Sequence, residues 1–230
     1  MGHVSNAVDA YLSSPMPARE SPWREAELCA IDLELTGLDP AVDEIISFAT
    51  LPIVGGRVRL RGGVYRLVRP SRMPEAETIR IHGLRDEDLE HAPPIEEVVG
   101  ELLAAITGGA LVVHVAAVEE TFLQPVLRSV GAELRNPIID TAALAAELAR
   151  RRGEPAPDRI GLTPLAHALG LPVHRPHEAD GDALTTAQAF LALATQLDRF
   201  EPQTIGSLTG PRRDGTWARL RRRLGRLLPA

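Results

Sequence analysis

Residues 28–35 read LCAIDLEL, an apolar run broken by two acids, Asp32 and Glu34, and closed by Thr36-Gly37. That length and that stop suit a central strand buried on both faces. In a strand, residues i and i+2 project from one face, so the two carboxylates stand side by side. Like charges held that close in a partly buried place are costly unless something cationic lies against them. No arginine is near in sequence, and the chain contains no lysine. A divalent metal is the natural counter-charge, and an all-oxygen ligand set favours Mg²⁺ or Mn²⁺ over softer metals. The alternative is a strand edge that leaves one of the acids in water.

The rest of the chain indicates the kind of sheet this strand joins. Residues 44–54 are apolar, meet Gly55-Gly56 and continue as an alternating run to Val68, the pattern of an antiparallel hairpin or meander. Residues 70–94 are turn-rich and charged. Pro94 to Ile106 has helical spacing, ALVVHVA reads as a second buried strand and EETFLQPVLRSVG as a helix ending at glycine. A brief strand at 137–140, helices at 141–152 and 162–170, and a long helix over about 182–200 follow. Hairpin strands first and strand–helix alternation afterwards predict a mixed α/β sheet flanked by helices. The expected organisation is an N-terminal arm or capping segment over 1–26, without periodicity, a folded unit over 27–200 and a tail over 201–230.

Aromatic residues make up 3% of the chain, so Leu, Ala, Val and Ile must fill the interior. One cysteine excludes an intramolecular disulfide framework and suits a reducing cytoplasm. No run approaches a membrane span, and the start lacks the pattern of a secretory signal.

Further acids fall at element ends, where sites collect. Glu119 follows the second buried strand at the start of a helix, and Asp182 opens the last long helix behind HEADG. His177 precedes Asp182 by five residues, which places the histidine in a loop from which it can reach over a metal centre. A side chain titrating near neutrality there suits a general base acting on water. His114 reads as a structural histidine, Asp140-Thr141 and Asp180 as helix caps, and Cys29 as core.

Taken in order, Asp32-x-Glu34-x-Thr36-Gly37, DEIISFATLPIVGGRV, IHGL at 81–84, LVVHVAAVEETFL at 111–123, IIDT at 138–141 and HEADGDA at 177–183 resemble the DEDDh group of 3′-5′ exonucleases. That group includes the epsilon proofreading subunit of bacterial DNA polymerase III, ribonuclease T and oligoribonuclease. The resemblance covers about residues 26–200. It implies a ribonuclease H-like fold, a mixed five-stranded sheet flanked by helices, and a phosphodiester hydrolase that uses two divalent ions and releases nucleotides from single-stranded DNA or RNA 3′ ends. It further implies that Asp32 bridges both ions, Glu34 binds one and orients the water, Asp182 completes the site and His177 is the general base. Leu35, Thr36, Gly37, Leu38 and His82 become candidate contacts to the terminal nucleotide, although a plain turn reads equally well for His82. A polymerase partner follows by analogy only.

One motif departs from the group. Where its members read H-N-A-x-F-D, this chain reads His114-Val115-Ala116-Ala117-Val118-Glu119. Glu119 keeps the charge and lengthens its reach by one methylene. It either coordinates, directly or through water, or marks a catalytically weakened module that binds nucleic acid or a polymerase.

The net charge of −6 conceals an asymmetry. Residues 211–230 hold seven arginines and one aspartate, about +6, which leaves about −12 for the body. Trp217, Leu220, Leu224, Leu227 and Leu228 share one helical face with arginines mostly around it, an amphipathic basic helix. Its candidate uses are packing on its own domain, attracting phosphates, lying on an anionic membrane or docking a partner.

Overall fold

The computed structural model describes residues 2–156 and 160–209. The basic helix expected over 211–230 lies outside the described residues. In chain order the elements are α1 (Gly2–Ser13), β1 (Leu28–Leu35), β2 (Ile45–Val54), β3 (Arg57–Val58), β4 (Val64–Leu67), α2 (Ala76–His82), α3 (Asp86–Leu89), α4 (Ile95–Ile106), β5 (Ala110–Val113), α5 (Ala116–Ser129), β6 (Ile138–Asp140), α6 (Thr141–Arg152), α7 (Leu162–Ala168), α8 (Ala179–Leu197) and α9 (Ile205–Thr209). The strands form one mixed sheet. β1 pairs antiparallel with β2 and parallel with β5, which pairs parallel with β6. β3 and β4 both pair with β2 on its far side, so six strands fill five positions and the outermost is one edge in two pieces.

β1 is central, as its sequence predicts, and its alternate residues feed two cores. Leu28 and Ala30 face α8, where Ala183, Ala187 and Phe190 are fully buried against the sheet. Cys29, Ile31, Leu33 and Leu35 face the opposite layer, built from α4, α5 and α1. Alanine on the sheet side of α8 allows close approach, and burial of α8 on several sides reflects contacts from α6 and α7 as well. Burial pushes the Cys29 thiol up to about 12, so this cysteine is an inert core residue.

Residues 1–26 contain more order than their sequence suggests. Val4, Ala7, Val8 and Tyr11 fall at i, i+3, i+4 and i+7 on α1 and pack into the second core. The Tyr11 hydroxyl donates to Asn136 Oδ1 (2.6 Å), and Asn136 Nδ2 donates to the carbonyls of Ile106 and Gly109. Further on, residues 19–23 run beside 203–206. Trp23 N–H donates to the Gln203 carbonyl, Ile205 N–H to Ser21 and Gly206 N–H to Arg19, while the Trp23 indole donates to Asp198 and meets Phe190 edge-on. Ile205 and Leu208 are buried in the same core as Trp23, so packed chain continues past residue 200.

Three local expectations are corrected. The turn-rich stretch 70–94 contains α2 and α3, helices of seven and four residues, too short for their period to register against the surrounding charge. α8 starts at Ala179, three residues before the expected start, and Asp180 lies inside its first turn, paired with Arg175, while Glu178 occupies the cap position. The second buried strand stops at Val113, because Val115 turns the chain with a left-handed φ of 68°. Among the described residues no helix is long and apolar enough to cross a membrane.

Candidate active site

Asp32 and Glu34 project from the α8 side of β1. Across the β1–β2 pairing they stand opposite Ala49 and Ser47, which share that face. Asp182 reaches the same place from the first turn of α8, whose positive dipole end favours acids there. One carboxylate oxygen from each of Asp32, Glu34 and Asp182 lies within 4.8 Å of the others. Desolvation, then Glu34, Glu119 and Asp182 in turn, holds the Asp32 carboxyl well above its usual range. Burial and Asp182 push Glu34 up to about 8. Asp182 is also raised by burial, against the opposing hydrogen bond from His177. Among the described residues no arginine or histidine forms an ion pair with any of these acids. Three converging carboxylates that burial and mutual repulsion hold above their ordinary range form an all-oxygen donor set that fits a hard divalent ion.

The loop 174–177 is built to lie over this cluster. Gly181 is essential to it: a Cβ there would overlap the carbonyl oxygens of His174 and Arg175, so only glycine lets α8 pass beneath the loop. His174 N–H donates to Thr185 Oγ1 (3.2 Å), and the backbone N–H of His177 donates to Asp182 Oδ2 (3.0 Å). His177 is exposed, with φ of 62°. Its main chain is thus pinned to an acid of the cluster while its imidazole remains free to face solvent or a ligand. The signal for Gly181 in the sequence is faint: a glycine inside a helical first turn marks a close approach only once the helix is known to begin at Ala179.

Glu119 sits in the first turn of α5, 4% exposed. It is near enough to raise Asp32, and burial lifts its own carboxyl well above the ordinary value. It stands outside the tight group of three, and its Oε2 is buried without a hydrogen-bond partner among the described residues. Asp140 fixes the start of α5, accepting from the N–H groups of Val115 (3.1 Å) and Ala116 (3.2 Å), and also caps α6 through Ala142. His114 is structural, bonded to Thr141 and the Ile160 carbonyl.

The expected substrate contacts divide. Leu35 points into the core opposite the acids, which leaves only its backbone available. Thr36 Oγ1 donates to Asp43 Oδ1 (2.9 Å) and accepts from Glu44 N–H (3.0 Å), so this hydroxyl shapes the loop. Gly37 lies against the Asp43 carboxylate, where a Cβ would overlap it. Leu38 is half-buried. His82 is buried at the end of α2, with Nδ1 accepting from Leu84 N–H (3.0 Å). That bond leaves the proton on Nε2, which has no hydrogen-bond partner among the described residues. Burial, then the nearby His177, lowers its imidazole and keeps it neutral. Tyr65, which the sequence did not single out, lies on the same sheet face as Asp32, through the register Asp32–Ala49–Tyr65.

The chain is similar to several known proteins. The chain is 33% identical over 199 residues to a PolC-type DNA polymerase III of Thermotoga maritima, covering 84% of this chain and 14% of that protein. It is 34% identical to a DNA polymerase III subunit epsilon-like protein of Rhodobacter capsulatus, covering 85% of this chain and 28% of the other. It thus spans well under a third of either. Against the DNA polymerase III subunit epsilon of Aquifex aeolicus it is 28% identical, covering 73% of this chain and 80% of that one. Among solved structures, exonuclease X in complex with 5′-overhanging duplex DNA superposes with a TM-score of 0.60 at 23% identity, covering 80% of this chain and 99% of that one. E. coli exonuclease I with a dT13 oligonucleotide gives 0.65 at 15%, covering 76% and 42%. These two establish the fold. Residues 29–190 match the exonuclease family model, and the chain belongs to that family.

Proposed function

We propose that this chain is a metal-dependent 3′-5′ exonuclease, hydrolysing phosphodiester bonds at the 3′ ends of single-stranded DNA or RNA. The observation that carries the reading is the convergence of Asp32, Glu34 and Asp182 within 4.8 Å. Two divalent ions, Mg²⁺ or Mn²⁺, held there would supply positive charge to the attacking and leaving oxygens of an in-line displacement. Asp32, Glu34 and Asp182 would hold them, and Glu119 would add its carboxylate from α5. His177 takes the proton of the attacking water on its imidazole, from a loop pinned to Asp182. Leu38, the backbone of Leu35, Thr36 and Gly37, and the unpartnered Nε2–H of His82 hold the terminal nucleotide.

We read residues 27–200 as the exonuclease unit, 1–26 as an arm folded onto it with 201–209 packed beside it, and the arginine-rich 211–230 as a basic tail that attracts phosphates or a partner, with a polymerase as the candidate. A reducing compartment, the cytoplasm, suits the unpaired Cys29. One observation favours a second reading, a weakened module that binds nucleic acid or a polymerase: Glu119 stands outside the tight group.

The test is release of mononucleotides from 3′-labelled and 5′-labelled single-stranded DNA and RNA with Mn²⁺ or Mg²⁺, comparing the chain with Asp32→Ala and His177→Ala. Stepwise shortening from the 3′ end, lost in both variants, is expected. No cleavage by folded protein, with at most one Mn²⁺ bound in calorimetry, would favour the module.

A further inference from the structure

Seven aromatic side chains lie among the described residues, and five are buried: Tyr11, Trp23, Phe48, Phe122 and Phe190. The two exposed ones are Tyr65 (40%) and Phe200 (48%). Phe200 follows the C-terminal end of α8, eighteen residues beyond Asp182 and so about 27 Å along the helix direction, remote from the acids. Tyr65 stands beside them. It pairs with Ala49, which pairs with Asp32, so the ring and the Asp32 carboxylate share one sheet face two strands apart, about 10 Å between backbones. The residue between them is alanine, 1% exposed and packed in the core that α8 covers, so the ring reaches the acids along the rim of that core.

At the ring lies a cleft of about 180 Å³ lined by Ala49, Leu51, Leu60, Gly63, Tyr65 and Asp180, between the sheet edge and the first turn of α8. Burial, then Asp180, Glu178 and Glu34, raises the Tyr65 phenol and keeps it neutral, while Arg175 opposes them from the same side. Arg175 pairs with both Glu178 and Asp180, so the acids at this rim carry a cation with them. The Tyr65 hydroxyl makes no hydrogen bond to a described residue, which leaves the ring without a structural task of that kind.

We propose that Tyr65 is a stacking platform for one nucleobase of the bound strand, setting how the 3′ end is seated beside Asp32, Glu34 and Asp182. The inference rests on the exonuclease reading above and adds to it a contact that recognises the base face. Every base has such a face, so the subsite adds affinity with little sequence preference. DNA and RNA strands offer the same chemistry.

The experiment is equilibrium binding of 5′-labelled deoxy- and ribo-oligonucleotides to the full chain in Ca²⁺, with a phosphorothioate at the terminal linkage to suppress hydrolysis. Wild type, Tyr65→Ala and Tyr65→Phe are compared on an intact strand and on strands with one abasic residue walked through the last four positions. On the intact strand, Tyr65→Ala is expected to weaken binding about 5- to 150-fold, and Tyr65→Phe, which keeps the ring, about twofold or less. One abasic position should weaken the wild type to the same degree and make Tyr65→Ala silent, the non-additivity of groups in contact. Normal wild-type binding with an unaffected Tyr65→Ala, or a loss that stays the same at every abasic position, would overturn the subsite alone. A wild type that neither binds nor shortens any strand would overturn the exonuclease reading and the subsite with it.

Discussion

Removing metal from the acid cluster should make stability fall as pH rises across the neutral range. Glu34 stands at about 8 in the fold against an ordinary 4.5, so the folded chain holds this proton more tightly than the unfolded one. The stability it contributes is therefore complete below about 4.5 and is lost as pH climbs through about 8. At about 1.36 kcal/mol per pH unit, carrying a carboxyl from 4.5 to about 8 gives a ceiling of about 5 kcal/mol. Glu34 is partly open to solvent and shares its repulsion with Asp182, so about 2–3 kcal/mol is the working figure, or about 4–12 °C of melting midpoint for a chain this size. Asp32 and Asp182, also raised, act in the same direction. The assay is thermal unfolding by circular dichroism in EDTA and in excess Mn²⁺, at steps between pH 5 and 8, on the wild type and Glu34→Gln. In EDTA the wild-type midpoint should drop relative to the variant as pH rises. The gain from Mn²⁺ should grow with pH, because cations and protons compete for the same oxygens. Parallel curves for the two proteins in EDTA, or a Mn²⁺ gain independent of pH, would refute the reasoning.

Three other perturbations follow from the geometry. Val115→Asn should raise the melting midpoint, by about 1–2 kcal/mol of relieved strain, since a β-branched residue resists the left-handed conformation that asparagine tolerates; an unchanged or lower midpoint would count against it. Gly181→Ala should preserve the secondary structure yet cut nucleotide release about a hundredfold, because the 174–177 loop must lift from α8 and carry His177 with it. Circular dichroism alongside turnover tests this, and near-normal turnover would show the loop to be adaptable. Tyr11→Phe should cost about 1–3 kcal/mol in urea unfolding by leaving Asn136 Oδ1 and the Arg135 N–H unpaired in the interior, and a loss below about 0.5 kcal/mol would mean water replaces the hydroxyl.

Much of this architecture is legible from short local signals. β1 could be read because its apolar run is brief, ends in Thr36-Gly37 and places its two acids at the strand period. The carboxylate of Asp182 was reachable through its spacing from His177. Other features were hidden for physical reasons. The i, i+3, i+4, i+7 pattern of α1 is present, but Ser, Asn and Asp between Val4 and Tyr11 dilute it. α8 starts early because a glycine that sequence reads as a loop breaker is needed there for close packing. The left-handed turn at Val115 runs against the preference of its own residue and is held by Asp140, twenty-five positions away. No local pattern reports such a contact, or whether Glu119 closes with the other acids.

The hydrogen bonds between residues 19–23 and 203–206 mean that the chain enters β1 and leaves α8 at one place, with α1 packed onto the unit ahead of that junction. A structure with adjacent entry and exit can be spliced into a longer polypeptide as a side loop, without stretching the host or disturbing its own sheet. In the Thermotoga maritima relative the similar stretch is 14% of the length. Portability of this sort needs no change in the acid cluster, because the junction lies at the Trp23–Asp198 end of α8 and the chemistry at the other.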